Sequence, residues 1–116
     1  MPAISVIIPT YNRPRHLAMC LGALEGVAFP REQFEVIVVD DGGIVPVEIT
    51  HTLDVTVVRQ NNAGPGAARN TGAQRAQGQC LVFLDDDCLP EPGWLAALAA
   101  RLEKGEREAD RSLLTA

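Results

Sequence analysis

Four short runs of apolar, largely β-branched residues recur along the chain: Ile4–Ile8, Glu35–Val39, Val55–Arg59 and Cys80–Leu84. The first, second and fourth are almost continuously apolar, the pattern of strands covered on both faces. The third sets Thr56 and Arg59 among valines, which suits a strand nearer a sheet edge. Between these runs the apolar spacing lengthens to three and four residues. Leu17, Cys20, Leu21, Leu24 and Ala28 predict a first helix, with Asn12 or Thr10 as its cap and Pro14 in its first turn. Ala67, Ala68, Thr71, Gly72 and Arg75 predict a second helix that ends near Gly78. Leu95, Leu98, Ala99 and Leu102 share one face of a third, over Pro92–Lys104. Strands alternating with helices in this order predict an α/β fold with a mainly parallel sheet flanked by helices. Gly42–Asp54, interrupted by Pro46, reads as a loop. Residues 105–116 form a charged tail on a single domain over 1–104.

Length and composition narrow this picture. A chain of 116 residues accommodates one domain, and a hydrophobic share of 47% excludes disorder as a global description. The longest apolar run, Trp94–Ala100, is far short of the ~20 residues that a membrane span requires. The first residues carry no signal-peptide pattern. A net charge of −5 argues against nucleic acid as the main partner, because phosphate backbones select basic faces. Cys20, Cys80 and Cys88 are odd in number and form no CxxC pair, which fits small buried side chains in a reducing, cytoplasmic compartment.

In an open parallel sheet, ligands bind beyond the carboxyl ends of the strands, so the residues after each strand carry the chemistry. These are Pro9-Thr10-Tyr11-Asn12-Arg13, Asp40-Asp41-Gly42-Gly43, Gln60 to Gly66, and Asp85-Asp86-Asp87. Three consecutive carboxylates repel one another, and a hard cation such as Mg2+ or Mn2+ offsets that repulsion. The bland reading of the same triplet is a turn, since Asp favours turns. Asp40-Asp41 before Gly42-Gly43 reads either as a common turn or, from its position at the end of the second strand, as a pair with one carboxylate accepting hydrogen bonds from a base or ribose. Tyr11 serves either as a stacking platform for a base or as a half-buried ring. Gly64-Pro65-Gly66 imitates the start of a dinucleotide fingerprint. However, Arg69 stands where the third glycine belongs, so the segment reads instead as a tight turn opening a helix. Arg69 then meets a phosphate, a carboxylate or a surface partner. His16 and His51 read as surface residues, and Trp94 as a packing residue.

Four segments occur together and in order: Ser5 to Arg13, Val38 to Gly42, Asn62-Ala63-Gly64 with Ala68 to Gly72, and Phe83 to Pro90. In this the chain resembles family 2 glycosyltransferases of the GT-A fold, over residues 4 to about 103. The resemblance implies a Rossmann-like donor half that binds a nucleotide-diphosphate sugar, with UDP favoured, together with Mn2+ or Mg2+. It implies that Pro9, Thr10 and Tyr11 line the nucleotide pocket and that Asp40 contacts the base. By the same resemblance Arg69 and Asn70 are expected to shape the donor site, Asp85 or Asp86 to face the ribose or sugar, and Asp87 to hold the metal. Relatives are usually longer, with a second half that supplies acceptor contacts and the catalytic base of an inverting displacement. The expectation is therefore a donor half lacking that base, with exposed apolar surface that favours a homodimer. The alternatives are a nucleotide- and metal-binding module without transferase activity, an inactive truncated remnant, and a receiver-like domain. The last is disfavoured because the first strand ends in Pro-Thr-Tyr rather than in acidic residues.

Overall fold

In the computed structural model, residues 2–49 and 53–103 are described; His51 and the tail lie outside them. Four strands, β1 (Ile4–Thr10), β2 (Phe34–Asp40), β3 (Val55–Arg59) and β4 (Cys80–Phe83), form one sheet in the order β3-β2-β1-β4. Every pair is parallel: Ile4 opposes Phe34 and Cys80, and Val36 opposes Val55. The weakly patterned third run is indeed an edge strand.

Alternation along the strands assigns the two faces. Ile4, Val6, Ile8, Val36, Val38, Val82 and Leu84 point to one side. There they pack with Leu17, Cys20, Leu21 and Leu24 of α1 (Pro14–Glu25) and with Leu95 and Leu98 of α3 (Trp94–Glu103). Trp94 packs, partly buried, against this same layer. Ile7, Ile37, Val39 and Val58 point to the other side, under α2 (Pro65–Arg75). The central strands are therefore apolar along most of their length because both faces are covered, with Ser5, Thr10, Glu35 and Asp40 as the polar exceptions. On the α2 side the layers approach closely at Gly72, where a Cβ would overlap the Ile7 side chain and lie 3.2 Å from Val39 Cγ2.

Two local readings need correction. Neither Asn12 nor Thr10 caps α1. Arg13 holds that position without a side-chain cap bond, and Asn12 is left-handed at φ 53°. The Asn12 amide oxygen instead accepts the Ile44 N–H (2.7 Å), and the Thr10 hydroxyl donates to Asp86 (2.8 Å). Both oxygens are drawn away by loops remote in sequence, a competition that local propensity does not register. Helix α1 also stops at Glu25, short of Ala28, whose N–H bonds Pro92 O (2.8 Å) and ties the β2 approach to α3. A short 3-10 turn, Arg31–Gln33, follows. Among the described residues no helix is long and apolar enough to cross a membrane.

Candidate functional site

Because β1 leads through α1 to β2 on one side, and β3 through α2 to β4 on the other, the chain reverses its order between β1 and β4. Parallel sheets open a crevice at such a point. A cleft of about 480 Å³ lies there. Pro9, Thr10, Tyr11 and Arg13 reach it from the end of β1, and Asp41 from the end of β2. Asn62, Gly64, Pro65, Ala68 and Arg69 come from the start of α2, and Asp85, Asp86 and Asp87 follow β4.

The three consecutive carboxylates have different surroundings. Asp86 is buried, with one oxygen accepting the Thr10 hydroxyl (2.8 Å) and the other meeting Arg13 Nη1 (3.0 Å). Asp87 is half-exposed and faces Arg13 Nη2 at 3.4 Å. Asp85 is half-exposed on the other flank, 3.9 Å from Arg69 Nη2. The Cys88 N–H closes the turn onto Asp85 O (3.1 Å), and the Cys20 thiol of α1 points to the same carbonyl at 3.8 Å. Asp85, Asp87 and Cys88 bring one ligand atom each to within 4.8 Å of one another. Two half-exposed carboxylates at that spacing fit a hard divalent cation, which takes one or two carboxylates and fills its remaining positions with water and phosphate oxygens. Burial pushes the Cys20 thiol up to about 12, with Cys88 and the three aspartates adding to it. Burial likewise raises Cys88, as do the Asp85 and Asp87 charges.

The neighbouring pair after β2 divides by strand alternation. Asp40 points to the α1 side of the sheet and lines an adjoining cavity of about 640 Å³ rather than the cleft. Its buried carboxylate accepts Gly43 N–H (3.0 Å), Val47 N–H (3.2 Å) and Arg59 Nη1 (2.7 Å), while Arg59 Nη2 donates to Gly43 O (2.6 Å). Asp41 points toward α2. One of its oxygens accepts Gln60 Nε2 (2.8 Å) and Ala63 N–H (2.9 Å), and the other accepts Asn62 Nδ2 (3.0 Å) and Gly64 N–H (3.0 Å). Burial opposes its charge, but those hydrogen bonds outweigh burial and hold the carboxyl below its ordinary 3.8. Thr71 of α2 donates to Gln60 Oε1 (2.5 Å), so Asp41 and Gln60 together fix the start of α2 at the cleft. Gly42 makes this possible. Its φ is +79°, and a Cβ there would lie 2.7 Å from Asn62 N.

Of the residues singled out from the sequence, the structure gathers Pro9, Thr10, Tyr11, Arg69, Asp85, Asp86 and Asp87 into one cleft. Asp40 stands in the adjoining cavity. Asn70 is exposed and not part of the lining, because one step beyond Arg69 on a helix is a turn of about 100°. Arg13 and Asp41 were missed. Arg13 was visible as the one cation directly after the first strand; Asp41 depended on knowing which helix covers which face.

The profile described as Glycosyl transferase family 2 matches residues 5–110. The chain belongs to glycosyltransferase family 2. It is 36% identical to Glycosyltransferase AglE of Haloferax volcanii over 102 residues, covering 82% of this chain and 34% of that protein. Among solved structures it is similar to Staphylococcus aureus TarS 1–349 in complex with UDP-GlcNAc. That match has a TM-score of 0.76 and 31% identity, over 90% of this chain and 32% of that one. It is also similar to the mannosyltransferase PcManGT of Pyrobaculum calidifontis in complex with GDP-Man and Mn2+. That match has a TM-score of 0.71 and 29% identity, over 82% and 30% of the two chains. The chain thus spans about a third of these relatives, and its sheet with flanking helices is the corresponding part of a GT-A glycosyltransferase fold.

Proposed function

We propose that the cleft is the donor site of a metal-dependent, inverting sugar transfer, taking a nucleoside-diphosphate sugar with UDP as the preferred nucleotide. The observation that carries this is the charge pattern of one cavity at the β1/β4 switch point: four carboxylates and two arginines in about 480 Å³. The size suits a cofactor-sized ligand, for which pockets of roughly 300–1,000 Å³ are usual. The charge does not suit a diphosphate unaided. Asp85 and Asp87 would hold a divalent cation, Mn2+ or Mg2+. Bound there, that cation supplies positive charge against the diphosphate leaving group. Arg69 and the start of α2 add the positive end of a helix on the same side. Thr10 holds Asp86 inward, so Asp85 and Asp87 are left facing the ligand. Pro9 and Tyr11 offer a wall for the nucleoside. Asp40 reaches a base only if Arg59 and the 43–47 loop release it, so its base contact is proposed as a step coupled to loop opening.

Calorimetric titration with UDP, GDP and their sugars, with and without Mn2+, tests the reading. Nucleotide binding that needs Mn2+ and disappears in Asp87→Ala is the expected result. Equal binding with and without metal, or unchanged binding by Asp87→Ala, refutes the metal assignment.

A further inference from the structure

We propose that Arg13 is a resident counter-ion of the metal site that exchanges Asp87 for the ligand's diphosphate, so that metal loading and donor binding are coupled. This rests on the donor-site reading above and assigns a residue that the reading does not require.

Arg13 is firmly placed by its backbone. It follows the left-handed Asn12, whose side chain is engaged by Ile44 N–H (2.7 Å), and its own carbonyl accepts Leu17 N–H (3.0 Å) in the first turn of α1. The backbone is therefore held on both sides, and the guanidinium is delivered to the triplet as a fork. The two prongs are unequal. Nη1 meets the buried Asp86 at 3.0 Å, while Nη2 meets the half-exposed Asp87 at 3.4 Å. The Asp86 prong is the durable one: that carboxylate is buried and its other oxygen is already taken by Thr10 (2.8 Å), so losing Arg13 would strand a charge away from water. The Asp87 prong is a long, half-exposed ion pair of the kind that contributes little. A cation arriving at Asp87 displaces that prong without dislodging the other.

Two consequences follow from the charge. Without metal, Arg13 offsets part of the repulsion among the three carboxylates and competes with the cation for Asp87. With metal bound, Nη2 is left without its carboxylate and, still anchored by Nη1, lines the same cleft as the site for the diphosphate. The metal and the ligand then each favour the same displacement, and by linkage each raises the affinity for the other.

The experiment measures Mn2+ binding directly, by the loss of the free Mn2+ paramagnetic resonance signal, in the presence and absence of UDP. Wild type, Arg13→Gln, Arg13→Lys and Asp87→Ala are compared, each checked for native circular dichroism. Arg13→Gln is expected to bind Mn2+ about three- to tenfold more tightly without UDP. The strengthening of Mn2+ binding by UDP should shrink by a similar factor. Arg13→Lys keeps the charge but lacks the fork. It should fall between wild type and Arg13→Gln, and it carries the test if the glutamine variant does not fold. Mn2+ affinity that is unchanged or weaker in Arg13→Gln, or an undiminished UDP effect, overturns the proposal. If those results accompany loss of Mn2+ binding in Asp87→Ala, the donor site stands and only the role of Arg13 fails. If Asp87→Ala binds Mn2+ as wild type does, the metal assignment of the donor-site reading fails and the inference falls with it.

Discussion

At the scale of single residues, burial and hydrogen bonding decide which side chains hold the molecule and which are left for a ligand. Asp41 is buried and accepts four hydrogen bonds from the segment that opens α2. Asp41→Ala is expected to cost about 2 kcal/mol, because two main-chain donors lose their acceptor, and urea denaturation checks this. The same carboxyl titrates below its ordinary 3.8 in the folded chain, so its stabilisation is present above that value. It is lost as pH falls through the lower folded value. The urea midpoint should therefore drop as pH falls below about 3.8 in wild type, and less in Asp41→Asn. Cys20 has the opposite sign. Its thiol rises from 9.0 to about 12 on folding, so stability is intact below 9.0 and is lost as pH climbs from there toward 12. Replacing Cys20 by Ala should remove that part of the alkaline loss, as seen in melting temperature against pH. Neither effect was legible in the sequence. Asp41 stands beside Asp40 with the same composition around it, and only the pleat sends one to α2 and the other to α1.

At the scale of elements, the pattern of apolar positions was a good guide wherever packing and local preference agree. Continuous runs became strands buried on both faces, and the run with Thr56 and Arg59 became an edge. The helix caps were less legible, since Thr10 and Asn12 spend their side-chain oxygens and hydroxyl on partners 76 and 32 residues away. Helix α2 shows how weak periodicity is compensated. It buries only Ala68 and Gly72, small enough to let its backbone approach β1 and β2. Gly72→Ala gains helix propensity but drives a methyl into Ile7. It is expected to be destabilising by about 1–2 kcal/mol, and thermal denaturation is the check. A stabilised variant would mean that α2 lifts easily, and that the cleft wall it carries is soft.

At the scale of the whole molecule, an acidic chain presents an acidic cleft, so ligand and cation are expected to act together. UDP and Mn2+ added jointly should raise the melting temperature by several degrees at about a hundredfold excess over the dissociation constant, and each alone should raise it much less. Additive shifts would show two independent sites. The sequence by itself determined the α/β class, the four strands, the clustering of polar residues after them and, through four ordered segments, the family. Those properties follow from local periodicity and from motifs whose residues are adjacent in the chain. The tertiary structure alone decided that Arg13 bridges Asp86 and Asp87, that Arg59 holds Asp40, and that Asp41 organises the entrance to α2. Those facts depend on which face each side chain takes and on contacts spanning about 20 to 75 positions, and strand pairing and helix packing, rather than sequence neighbours, set both.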